Sequence, residues 1–459
     1  VNNIIIYRNL IREILYIFVA KVNGLRKIWR ILLFMLLILF IGGDPGARER
    51  SDSLTGRLVP GNVRLTNAIS DIKEFEGCEK LADSFMRKWK IAGASIAIAR
   101  EGRLVYARGF GMSDTTENVL TEPYHRFRIA SISKLVTAVA IMKLCEEGVL
   151  SLDDIVFGPE GILNDSCFAS PRDSRALNIT VAHLMSHEAG WSQRYGDHMF
   201  MPLVVAKQMG VEPPADTRTI VSFALGKRLH YTPGTGRSYS NLGYSILGLV
   251  IEEVTGMRYE DYCSTRIFEP LGIYDMSIAN NLPSEKAPFE VTYYEPPDVP
   301  PKPSVYGTGE LVSPVYGGND IEALGAAGAW VSTAPDLMRL LLAVDGFDFP
   351  PDILSRESIE LMTDMKRKIA PLGWKTTLYN GTWWRTGSFP GTAAMMKRQA
   401  DGTAWVVLLN SSAWNGPEIH SWINSMMTRM VSQIKEWPGI DLFKYSLPLP
   451  LSEQLHAGL

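Results

Sequence analysis

Two apolar hairpin patterns lie near opposite ends of the chain, and together they restrict its architecture more than any other feature. "ASIAIAREGRLVYARGFG" (Ala94–Gly111) sets alternating or apolar runs on either side of Arg-Glu-Gly, and "GTAAMMKRQADGTAWVVLLNSS" (Gly391–Ser412) repeats the arrangement around Asp401-Gly402. Helical periodicity precedes the first (Ile69–Lys90) and follows the second (Pro417–Lys435). Between them the patterns are mostly helical, interrupted by long loops such as Pro283–Asp320. This layout predicts an α+β fold: one antiparallel sheet built from both chain ends, flanked by helices, with an inserted mostly helical lobe. The 459 residues exceed the ~250–300 at which single cores stop growing, so two packed lobes, or one domain with a large insertion, are expected. The proline-rich "YYEPPDVPPKPSVYG" reads equally as a surface excursion or as the border of a cleft.

Residues 1–43 read as an export signal or a membrane anchor. A basic flank (Lys21, Arg26, Lys27, Arg30) leads into an uninterrupted apolar run, Ile31–Ile41. A signal peptide needs about 7–15 such residues and a membrane span about 20, so export is the favoured reading. No A-x-A cleavage site and no lipid-accepting Cys follow, which keeps the anchor reading open. The amphipathic stretch Ile4–Ala20, after an initial Val, reads as a misassigned start. Residues 44–66 are expected to be a linker, 67–436 the working domain and 437–459 a C-terminal tail, with the domain periplasmic or extracellular. The net charge of -3, both signs dispersed, gives no sign of a nucleic-acid partner. Cys78, Cys145, Cys167 and Cys263 form no C-x-x-C pair, against a zinc ribbon or a thioredoxin-type motif.

Chemistry concentrates in three short boxes. "FRIASISKLVTA" places Ser131 and Lys134 three apart at the start of an apolar helix, where they share a face. A serine hydroxyl needs a neighbour that takes its proton. A lysine does so only if its surroundings lower its pKa, or if it acts by lowering that of a tyrosine nearby. The helix N-terminus adds N–H groups for an oxyanion. "PGTGRSYSNLGYS" carries Tyr239 and Asn241, which an extended backbone sends to the same side, a phenol to shuttle protons and an amide to meet a substrate carbonyl. "WWRTGSFPGT" supplies a cation (Arg385), Thr386, a close-approach glycine (Gly387) and the N–H of Ser388 as a second oxyanion donor. Each box alone has a bland reading as a helix cap, a buried tyrosine or an edge strand.

In this order, S-x-x-K, Y-x-N and a cation-Thr-Gly box resemble the serine β-lactamase/penicillin-binding-protein superfamily. The middle box is similar to that of class C β-lactamases, D-Ala-D-Ala carboxypeptidases and family VIII carboxylesterases. "IMKLCEEGVLSLDDIV", "VAHLMSHEAGW" and "LGAAGAWVSTAPDLMRLL" also look like that superfamily. The resemblance implies a β-lactamase/transpeptidase-like fold, with Ser131 as acylated nucleophile, Lys134 as its base partner and Tyr239 as second proton carrier. It also implies Asn241, Arg385, Thr386 and Gly387 as substrate-binding residues, and oxyanion donors at Ser131 and Ser388. Arg385 departs from the usual lysine or histidine. It keeps the charge but cannot lose it, which puts efficient β-lactam turnover in doubt.

No G-x-S-x-G elbow is present. "HLMSH" spaces His183 and His187 as zinc ligands can be, but lacks the Glu of H-E-x-x-H, so neither a metal nor a cofactor is expected. Trp191, Trp383 and Trp384 read as cleft wall or as core. The expected function is a serine hydrolase acting on a small acyl substrate, an ester favoured over a β-lactam or cell-wall D-amino-acid peptide. The membrane would enter only through the N-terminal segment. The reading from another class is a non-catalytic, membrane-tethered sensor that is acylated and stays so.

Overall fold

The computed structural model describes residues 64–445 except 71, 365–370 and 413–417. The expected signal or anchor (1–43), most of the linker and the tail beyond 445 lie outside the described residues. No described helix is long and apolar enough to cross a membrane.

A seven-stranded sheet has the order β3-β2-β1-β12-β11-β10-β9, every pair antiparallel. Its N-terminal strands are β1 (Gly93–Arg100), β2 (Arg103–Asp114) and β3 (Val119–Leu120). Its C-terminal strands are β9 (Thr376–Thr377), β10 (Trp383–Phe389), β11 (Thr392–Arg398) and β12 (Thr403–Leu409). β1 pairs with β12 from Ala94↔Leu409 to Arg100↔Thr403, so the two ends of the domain meet at the middle of the sheet, as the hairpin patterns predict. Glu101 and Gly102, both with positive φ (49° and 76°), make the two-residue turn between β1 and β2. Smaller pairings join β4 (Phe127–Arg128), β8 (Trp330–Ser332) and β5 (Ser277–Ile278), and β6 (Lys302–Pro303) with β7 (Leu311–Val312).

Strand alternation explains why these strands read as nearly continuous apolar runs. Trp405, Val407 and Leu409 face one core and Ala404, Val406 and Leu408 face another, because successive side chains leave opposite faces of a strand. The first core lies under two helices from the domain's ends, α1 (Glu76–Trp89) and a C-terminal helix (Ile419–Gln433). The second joins the sheet to a helical lobe that includes α2 (Ser133–Glu146), α3 (Asn241–Thr255) and α4 (Ala334–Leu342); the C-terminal helix is therefore α5. The insertion is not a lobe with its own separate core.

The expected helix over Ile69–Lys90 starts late. Asn67–Ser70 and Lys73–Phe75 are 3-10 turns, and α1 begins at Glu76. Asn67 Oδ1 accepts from Gly109 N at 2.8 Å and Ser70 Oγ donates to Ala107 O, so side chains tie this segment to β2. The long loop over 283–320 is partly core, burying Val291, Tyr293, Val305 and Val315. It also borders a 270 Å³ cavity with the segment around Phe200 and Val204.

Candidate active site

Ser131 sits in a 3-10 turn, Ala130–Ile132, that runs directly into α2. Ala130 holds a φ of 47°, left-handed and costly for a residue with a Cβ. α2 is apolar on all sides and buried, so Lys134, one residue into it, is carried into the interior with 0% exposure. Its ammonium donates to Asn241 Oδ1 at 2.7 Å and to the Ala327 carbonyl at 2.5 Å, and lies 4.8 Å from the centre of the Tyr239 ring.

Tyr239 and Asn241 flank Ser240, the extended N-cap of α3, whose hydroxyl accepts from Gly243 N at 2.9 Å. The cap fixes both neighbours toward the same pocket. The Tyr239 hydroxyl donates to Ser131 Oγ at 2.7 Å, within range of a proton hand-off. Burial pushes the Lys134 amine down and Arg385 pushes it further, against the opposing pull of Tyr239. For Tyr239, burial raises the phenol, but Lys134, Arg385 and hydrogen bonds to Lys134 and Ser131 outweigh it and bring it below its ordinary value. Lysine and phenol are thus both lowered, and the lysine that lowers the phenol stands directly behind the ring whose hydroxyl meets Ser131.

The third box lies on the part of β10 beyond its two-residue pairing with β9, beside the Ser131 turn. Gly387 allows this approach: a Cβ there would fall on the Ile129 carbonyl oxygen and within 3.1 Å of Ser131 N. Arg385 is only 3% exposed and points under the turn, donating Nε to the Ser131 carbonyl at 2.9 Å. Thr386 Oγ1 accepts from Lys375 Nζ at 3.1 Å. Ser388 is exposed, its hydroxyl 3.5 Å from His420 Nε2, which donates to the Gly387 carbonyl at 3.0 Å. All eight candidate residues therefore gather on one turn and the first residues of the helix it enters, one helix cap and one strand. Asn241, however, spends its amide on the protein, its Nδ2 donating to Asp197 Oδ2 at 2.8 Å, whereas Arg385 is engaged through Nε and its buried Nη2 has no hydrogen-bond partner among the described residues.

Four neighbours complete the site, and of these the sequence reading met only His187, as a possible zinc ligand. His187, with a φ of 65°, lies 4.7 Å ring to ring from Tyr239, and its Nδ1 accepts from Ser240 N at 3.2 Å. Burial, then Arg385, Lys134 and Arg237, hold it well below the ordinary histidine range, so it is a neutral prop for the Tyr239 loop. His183 caps its own short helix, accepting from Thr180 N. Asp197, Lys375 and His420 come from segments with no motif. Of the tryptophans, Trp191 is core, Trp383 packs at the core's edge under Arg398, and Trp384 lines an outer cavity.

A sheet joined from both chain ends, helices on both faces and a serine at the head of a buried helix define the β-lactamase/transpeptidase-like class of serine hydrolase fold. The chain belongs to the beta-lactamase family, whose model matches residues 78–425. Among curated relatives it is 29% identical over 210 residues to Protein flp of Staphylococcus aureus (strain N315), covering 46% of this chain and 38% of that one. It is 28% identical over 210 residues to Penicillin-binding protein 4* of Bacillus subtilis (strain 168), covering 44% and 41%. The match thus spans less than half the length of these relatives. Among solved structures, an octameric penicillin-binding protein homologue from Pyrococcus abyssi aligns with a TM-score of 0.58 at 27% identity, covering 80% of this chain and 79% of that one. D-amino acid amidase from Ochrobactrum anthropi SV3 shares the fold, with a TM-score of 0.60 at 22% identity and coverage of 79% and 99%.

Proposed function

We propose that the protein is an exported serine hydrolase that cleaves small acyl esters through an acyl-enzyme on Ser131. The observation that carries this reading is the 2.7 Å contact between the Tyr239 and Ser131 hydroxyls, with the buried Lys134 ammonium behind the phenol ring. Ser131 Oγ attacks the ester carbonyl carbon while the Tyr239/Lys134 pair takes its proton. The N–H groups of Ser131 and Ser388 receive the oxyanion, and losing one such donor typically costs about 2.7–4 kcal/mol of transition-state stabilisation. The carbon–oxygen bond to the leaving alcohol breaks, and the alcohol takes the proton from the pair. Water then adds to the acyl-enzyme, its proton returning to the pair and on to Ser131 as the carboxylic acid departs.

An ester is favoured over a lactam because Arg385, in the place of the usual lysine, is folded under the nucleophile and its charge cannot be shed. An aromatic rim also suits an acyl group: Phe200, 45% exposed, lies 6.2 Å ring to ring from Phe389, the neighbour of Ser388. The test is turnover of 4-nitrophenyl butyrate by the full chain. Sustained hydrolysis that falls at least about a thousandfold in Ser131→Ala is expected. An unchanged rate in that variant refutes the assignment. One stoichiometric burst leaving a stable adduct on Ser131 would identify an acylated sensor instead, and faster turnover of nitrocefin than of esters would identify a lactamase.

A further inference from the structure

Asp197 belongs to no motif, yet it ends a chain of polar groups that starts at the buried amine. Lys134 Nζ donates to Asn241 Oδ1 at 2.7 Å and to the Ala327 carbonyl at 2.5 Å, which leaves its third position to the Tyr239 hydroxyl. Asn241 Nδ2 donates to Asp197 Oδ2 at 2.8 Å. The other carboxylate oxygen, Oδ1, accepts from Met199 N at 3.1 Å and so caps the 3-10 turn His198–Phe200. A side-chain amide fits its slot either way round, and here the groups at both ends decide. Reversed, Nδ2 would face the Lys134 donor and Oδ1 the Asp197 anion. Asn241 is 7% exposed, so water cannot relieve that conflict.

We propose that Asp197 is a positioning residue, whose carboxylate locks the Asn241 amide with Oδ1 on Lys134 and thereby holds the amine against Tyr239 for the proton of Ser131. The inference rests on the acyl-enzyme reading for the role of the Tyr239/Lys134 pair. Charge acts here as well as geometry. Arg385, Lys375 and His187 also face the pair, and Asp197 is the anion that raises the amine which burial and Arg385 lower. His198 faces Asp197 from the turn that Asp197 caps. The same turn ends in Phe200, 6.2 Å ring to ring from Phe389, so one carboxylate ties the rim of the cleft to the proton-accepting pair.

Two variants of the full chain separate this role from that of a plain turn cap. Asp197→Asn keeps the size of the side chain but turns one acceptor into a donor, which sets Nδ2 against Nδ2 or gives up the cap. Asp197→Ser keeps a capping oxygen but is too short to reach Asn241. In both, kcat on 4-nitrophenyl butyrate should fall about ten- to a hundredfold, the scale of one hydrogen bond to a charged group. The acid limb of kcat/KM should also move to lower pH, because the negative charge that favours the protonated pair is gone, and loss of a cap alone would leave the limb in place. Circular dichroism checks that both variants keep the native helix and sheet content. Wild-type kcat in both, or a slower enzyme with an unmoved limb, would overturn the proposal. The rate at which a fluorophosphonate labels Ser131, followed over pH in the same proteins, needs the activated hydroxyl but no turnover. Labelling that slows and shifts with Asp197, in a chain that turns over no ester, sinks the hydrolase reading alone. Ser131-dependent turnover with labelling and limb indifferent to Asp197 sinks the positioning role alone.

Discussion

Arg385 carries its charge beneath the nucleophile rather than into the open cleft, and that placement has a consequence for pH. The Tyr239/Lys134 pair must give up one proton before it can accept that of Ser131, so kcat/KM falls as pH drops through the pair's apparent pKa. Arg385 disfavours the protonated, more positive state and lowers both members of the pair. Removing its charge in Arg385→Gln should therefore move the acid limb of the profile to higher pH, with less active enzyme at neutrality. Arg385→Lys, which keeps the charge, should leave the limb close to its original place. A limb unmoved by the glutamine would show that Arg385 does not tune the pair. The sequence shows a cation in the third box, and alternation along a strand tells which residues share a face. It does not show that the longer guanidinium would reach back to the Ser131 carbonyl, since that contact joins segments 254 positions apart.

At the scale of elements, the candidate site is a junction of a strand, a 3-10 turn and a helix cap, held at backbone distance by Gly387. Gly387→Ala places a methyl against the Ile129 carbonyl oxygen, which belongs to the turn and has no flexible end to move aside. β10 must then shift from the Ser131 turn, at a typical overpacking cost of about 1–3 kcal/mol. We expect kcat to fall at least tenfold while circular dichroism keeps the native sheet and helix content, with the loss of stability read from urea unfolding. Wild-type kcat in this variant would mean that the strand's approach does not set the geometry. Tyr239 and Asn241 were legible as a pair because one intervening residue in extended backbone dictates a common side. Lys375 and Asp197 were not, because "LGWK" and "YGDHMF" have no local chemical signature and only packing brings them to the site.

For the whole molecule, pairing of β1 with β12 means that neither end of the domain completes the sheet alone. The outer face of that sheet, with Tyr106, Met395 and Trp405, is kept from water by α1 and α5. Both hairpins and both terminal helices were readable from periodicity, since each is a contiguous amphipathic or apolar pattern. The joining of the lobe to the sheet through one core was not, because it depends on contacts between residues far apart in sequence, such as Leu135 beside Gly373. Stability and chemistry should accordingly separate across the sheet. Met430 on α5 is fully buried in the outer core, while the residues around Ser131 (Ala130, Ile132 and Leu135) pack in the core shared with the lobe. Met430→Ala leaves a cavity there and should lower the unfolding free energy by about 2–5 kcal/mol, measured in urea. Because the Ser131 turn, the Tyr239 cap and Gly387 do not rest on that methionine, kcat on 4-nitrophenyl butyrate per folded molecule should stay within twofold of wild type. A large fall in kcat with unchanged stability would mean that the outer layer governs the site directly, and the division of labour between the two faces would have to be abandoned.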